Sequence, residues 1–174
     1  MMMTGACFAE EIKVPFFRGA RADVMISRPA KTKGGDYDDQ MQTIKPRIKF
    51  TNVDNAQNYE GHKAAFMILG ESTIDRKVFK VLMRHDFVIS LPARKVIEET
   101  APDVTTRFDT TYAKFGYKYD GWILLVTDPQ GQLVLVKSSS PSLENMPTQL
   151  GALKKDGCYT RQLKSVEEPR LIMR

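Results

Sequence analysis

Two apolar runs face each other across a turn between Tyr117 and Ser139, in the stretch YKYDGWILLVTDPQGQLVLVKSS. Pro129 presets the first turn position, and Gly131 can take a positive φ to close it. The runs are rich in Ile, Leu and Val, which makes the stretch a β-hairpin. A four-residue loop sets Val126 opposite Leu133, Leu124 opposite Leu135 and Ile123 opposite Val136, unless a bulge at Gly131 shifts the register. Both faces of Ile123-Leu124-Leu125-Val126 are apolar. Such a strand is expected to be central in its sheet, or to have its second face covered by another segment.

The rest of the chain reads as strands and turns. Ala22–Arg28 alternates as a first strand, closed by Pro29. Lys31–Thr43 is a loop. Its Asp36-Tyr37-Asp38-Asp39 cluster lacks the residue order and terminal Glu of a calcium-binding EF-hand loop. Ile44–Val53 alternates, with Pro46 limiting it to a sheet edge or a strand start. After a connector at 54–58, Gly61–Leu69 reads as a core strand. Asp75–Arg84 fits both helical and strand periods and is taken as a strand, followed by strands at 87–91, 95–99 and 104–111. Ser142–Met146 is one helical turn. Leu150–Arg174, charged and without periodicity, is a mobile or docking tail.

About eight short strands without a long helix imply an all-β fold: an antiparallel Ig-like β-sandwich with irregular N- and C-terminal extensions. Trp122 is expected as a core anchor. The Cys…Trp…Cys signature of antibody domains is absent. The divisions are a possible signal remnant at 1–9, an N-terminal extension with the first strand at 10–43, the sandwich body at 44–140 and the C-terminal tail at 141–174.

The net charge of +5 on 174 residues is spread out. Residues 13–49 hold nine Lys/Arg against four Asp, and 152–174 hold six against three acids, so a solvated surface accounts for the charge. No apolar run approaches the roughly 18 residues of a transmembrane helix. Cys7-Phe8-Ala9 before Glu10-Glu11 resembles the end of a secretory signal, with small residues around the cut. Thr4-Gly5-Ala6-Cys7 is also a weak match to a lipoprotein acylation site. The expectation is an exported protein, in the periplasm, on the outer surface or secreted. Two cysteines make no disulfide framework, and cleavage after Ala9 would leave Cys158 alone.

No catalytic constellation is legible, so a non-enzymatic protein with no catalytic, cofactor or metal residues is expected. His62 and His85 lie on different expected strands, Cys158 has no His nearby in sequence, and no glycine-rich phosphate loop occurs. Tyr112-Ala113-Lys114-Phe115-Gly116-Tyr117-Lys118-Tyr119 interleaves aromatic and basic residues. In an extended strand Phe115, Tyr117 and Tyr119 share one face, and Lys114 and Lys118 the other. Tyr112, Lys114, Tyr117, Lys118 and Tyr119 are therefore the candidate binding residues for an anionic polymer, a glycan or single-stranded nucleic acid. A half-buried strand with a solvated lysine face explains the pattern equally well.

Glu60-Gly61-His62-Lys63, Asp75-Arg76-Lys77 and Phe115-Gly116-Tyr117-Lys118-Tyr119-Asp120-Gly121-Trp122 carry a resemblance. From about Arg47 to Ser140, half of the chain, the sequence resembles exported Ig-like proteins of the Verrucomicrobia–Planctomycetes group, among them pilus-associated, archaeal-pilin-like proteins of Akkermansia. The resemblance implies a non-enzymatic structural or interaction protein of a cell-surface assembly. Protein partners or self-association are expected, nucleic acid is disfavoured, and an anionic surface polymer is the alternative ligand. A pilin would need a long hydrophobic N-terminal helix, and these residues do not supply one. No catalytic residues carry over.

Overall fold

The computed structural model describes residues 18–28, 30–32, 39–111 and 114–170. The signal-like Cys7-Phe8-Ala9, the acidic cluster from Asp36 to Asp38 and Tyr112 lie outside them. The elements in chain order are β1 (Ala20–Ser27), β2 (Ala30–Thr32), β3 (Gln40–Asn52), β4 (Tyr59–Ser72), β5 (Val78–Leu91), β6 (Val96–Thr100), β7 (Val104–Asp109), β8 (Phe115–Thr127) and β9 (Leu133–Ser138). Two single-turn helices follow, α1 (Pro141–Glu144) and α2 (Pro147–Leu150), then β10 (Cys158–Thr160) and β11 (Ser165–Val166).

Every pairing among the described residues is antiparallel. The main sheet runs β9–β8–β4–β5–β10–β11, and β3 carries β1 on one side and β6 on the other. The first part of β3 pairs with β2 and β7, and β7 passes the hydrogen bonding on to Phe115 and Gly116 at the start of β8. Gly116 is needed at that junction. It has a φ of +76°, and a Cβ there would run into the Arg107 carbonyl. The continuous path thus folds over into an all-β sandwich.

Strand alternation decides what each face buries. On the inner face of the main sheet, Ala64, Phe66, Ile68, Met83, Ile89, Leu124 and Val126 pack against Ala22, Ile48 and Phe50 of the smaller layer. Trp122 packs on this core partly buried, its ring centroid 6.3 Å from that of Phe66. The outer face carries a second cluster, in which Met67, Leu69, Phe79, Val81, Ile123 and Leu125 meet Leu143, Leu150, Leu153 and Tyr159. Both expectations for β8 are met. It sits between β4 and β9, and the segment after β9 covers its second face.

That segment is the docking tail. The Glu144 carboxylate accepts the Ser138 N–H at 2.8 Å, which fixes α1 to the end of β9. β10 extends the main sheet beside Val78–Lys80. Arg161 bridges Asp120 on β8 and Glu71 on β4, at 2.5 and 3.0 Å. Lys80 reaches Glu168 at 2.9 Å.

Several sequence expectations need correction. Lys31–Thr43 is not a loop at its ends, since Lys31 and Thr32 belong to β2 and Gln40–Thr43 open β3, where they pair with β2 and β7. The central strands are long, 14 residues each for β4 and β5, and 78–84 and 87–91 are parts of one strand because nothing at His85-Asp86 turns the chain, while Asp75–Lys77 form the turn before it. The hairpin register is displaced, with Val126 opposite Leu135 and Leu125 opposite Val136. Gly131 does close the turn, with a φ of +85°, but the extra residue is Val134, between the Val126–Leu135 and Thr127–Leu133 pairs. Pro46 stands mid-strand opposite Ile26. It is tolerated because β7 pairs only as far as Ile44 and β6 starts at Arg47, so the missing N–H falls in the gap between them. At the far end of β3, buried Asn52 donates to the carbonyls of Gln57, Leu91 and Pro92 and accepts the Asp54 N–H, tying the connector to the end of β5.

Candidate functional site

The outer face of the main sheet is only half covered. α1, α2 and Leu153 lie over Met67, Leu69 and Ile123. Beyond α2, towards the start of β4, the face opens into a groove of about 750 Å³. Its depth comes from a small residue. Ala65 is flanked on its own strand by Lys63 and Met67, with Leu125 across on β8 and Asp86 across on β5. Leu125 and Leu133 line one wall, Val88 the other, and Pro147, Thr148 and Gly151 the α2 side. Val88 is 66% exposed, the highest value among the exposed large apolar side chains.

The two ends of the groove differ. At one, Arg84 is held on two sides: its Nε lies 3.1 Å from both Asp86 oxygens, and one terminal nitrogen donates to the carbonyls of Gly151 and Leu153 at 3.2 and 2.5 Å. These carbonyls follow α2, so Arg84 pins the end of the helical segment to the sheet. At the other end stand Lys63, Thr127 and Gln132. The site is an apolar trough with one uncommitted cation at its mouth.

The aromatic and basic residues expected to bind are dispersed. Phe115 lies under the Arg107 guanidinium, 5.7 Å from ring centroid to Cζ. Tyr117 is half-buried, its hydroxyl 3.4 Å from the Cys158 sulfur and its ring 5.2 Å from the Lys80 ammonium. Burial and the Cys158 contact push its phenol far above the ordinary tyrosine range. Tyr119 is half-buried against the inner core with Arg28 over its ring at 4.9 Å, and burial raises its phenol as well. Lys114 and Lys118 are exposed. The tyrosine rings of this strand are thus engaged by the chain's own cations.

The two histidines stay apart. His62 packs edge-on to Tyr59, with centroids 5.6 Å apart. His85 reaches Glu99 on β6 at 2.9 Å and stacks on Phe87 at 5.2 Å, a link between the two layers outside the groove. Cys158 is a buried free thiol. Among the described residues no group of three His, Cys, Asp or Glu has the arrangement to hold a metal ion. No helix among them is long and apolar enough to cross a membrane.

Sequence reading missed the groove because its signal is a contrast of sizes. In GHKAAFMIL, Ala65 shares a face with Met67 and Leu69, and its small volume matters only once Leu125 and the α2 segment are placed around it.

No family model matches the chain, and no curated protein matches it. Among solved structures, the chain is similar to a crystal structure from Akkermansia muciniphila, at 12% identity and a TM-score of 0.37, over 70% of this chain and 71% of that one.

Proposed function

We propose that this chain is a non-enzymatic interaction protein of an exported, cell-surface assembly, with the groove beside α2 as its receiving site for an apolar segment of another protein. One observation carries the reading: an apolar trough of about 750 Å³ on the half-covered outer face of the main sheet, with Val88 left exposed at its wall. Exposed apolar surface of this kind marks interaction sites, and a groove with apolar anchors is a recurring mode of peptide recognition. Export and a pilus-related setting rest on the signal-like Cys7-Phe8-Ala9 and on the resemblance carried by residues 115–122.

Replacing Ala65 by Phe fills the trough without touching the inner core. Gel filtration of native extracts should then show the A65F protein leaving its assembly and eluting at the size of the free chain, with Tm unchanged. An assembly of unaltered size would reject the groove as the receiving site. Mass spectrometry of the native N-terminus tests export separately, since an intact Met1 in the cytoplasm contradicts it. The alternative reading, an anionic-polymer site at Lys114, Tyr117, Lys118 and Tyr119, requires affinity that falls steeply with salt.

A further inference from the structure

The polarity of the groove narrows what it receives. Resting on the reading of the groove as a docking site, we propose that its occupant is an apolar segment of a partner protein that carries a carboxylate beside its apolar residues, and that this acid meets Lys63. Three charged side chains line the groove: Lys63, Arg84 and Asp86. Arg84 and Asp86 neutralise each other, and one terminal nitrogen of Arg84 also donates to the carbonyls of Gly151 and Leu153. Lys63 makes no ion pair among the described residues, and its neighbours at the mouth, Thr127 and Gln132, are uncharged. At that end Lys63 is the one charged lining side chain, and the nearby Asp128 carboxylate accepts the Gln132 N–H at 2.8 Å, so Lys63 is the group an incoming anion meets.

The groove lies midway between an enclosed cavity and an open surface. A protein segment can bury an apolar face there and leave its polar face wet. A small lipid acid needs most of its surface enclosed, and this trough does not enclose it.

The test uses the full chain, ¹⁵N-labelled, and blocked octapeptides in which leucines alternate with alanines after a single terminal Glu or a single terminal Lys. The Glu peptide should shift the amides of Ala65, Val88, Leu125 and Leu133 and bind roughly two- to fivefold more tightly than the Lys peptide, the range of an exposed ion pair. K63E, a change at an exposed side chain, should reverse that order with Tm unaltered. Equal binding of both peptides, unchanged by K63E, overturns the charge selection while leaving the groove as a docking site. Failure of both peptides to bind overturns the docking site itself. Binding of dodecanoate but of neither peptide overturns the protein occupant in favour of a lipid acid.

Discussion

The main sheet has two faces, and they are finished differently. The inner face is closed by the second layer of the sandwich, and Phe66, Ile68, Leu124 and Val126 on it are fully inaccessible. The outer face uses the same strands with the same alternation, yet towards the start of β4 it is closed only as far as α2 reaches, the rest being covered by α1, Leu153 and Tyr159. The lesson is that the strands set the apolar pattern and the cover sets the function. Where the cover is a sheet the apolar residues are scaffold, and where it runs out at α2 they line a site.

The largest expected effect breaks this comparison if it fails. Phe66→Ala, on the sealed face, should cost about 3–5 kcal/mol in urea unfolding, by lost transfer energy plus an unfilled cavity. Leu133→Ala, on the half-buried groove wall, should cost less than about 1 kcal/mol, because that side chain already meets solvent in the folded chain. Equal losses would mean that the outer face is as tightly closed as the inner one.

Next is the pin that ends the cover. Arg84→Met keeps the apolar stem and removes the donors to Gly151 and Leu153. Hydrogen bonds from charged groups are worth about 1.5–3 kcal/mol. The change should lower stability by that order and raise hydrogen exchange at 147–153 above that of β4. Unchanged exchange there would show that Leu150 and Leu153 hold the segment alone.

A smaller effect concerns the far edge of the same face. The hydrogen bond from Lys80 holds the Glu168 carboxyl below its ordinary value of 4.5. A depressed folded pKa contributes stability that is present above the unfolded value and is lost as pH falls through the folded one. The exposed pair is worth less than about 1 kcal/mol. Amide exchange at 158–166 should therefore increase as pH drops below about 4.5 relative to Glu168→Gln, which should show no such step. A parallel response in both proteins would remove Glu168 from the account.

Much of the scaffold was legible from local chemistry. The Asp128–Gly131 turn, the apolar runs beside it and the alternation of Ile44, Ile48 and Phe50 each specify a strand with its own residues. The FGYKYDGW block also resolves into scaffold. Gly116 lets β8 pass from β7 to β4, Asp120 holds Arg161, and Trp122 packs on Phe66. What stayed hidden depends on neighbours that are remote in sequence. Pro46 reads as an edge residue until the gap between β6 and β7 is known. Tyr117 and Tyr119 read as either a binding face or a half-buried one until Lys80, Cys158 and Arg28 are placed on them. The groove needs Ala65, Val88, Leu125 and Thr148 together, from four separate elements or turns.

Methyl-resolved NMR tests the contrast between the two faces most directly. On titration with the Glu-headed octapeptide, the methyls of Val88, Leu125 and Leu133 should move while those of Ile48, Ile68 and Ile89 stay fixed, and A65F should abolish the shifts. Shifts spread equally over both sets, or shifts that persist in A65F, would contradict the account.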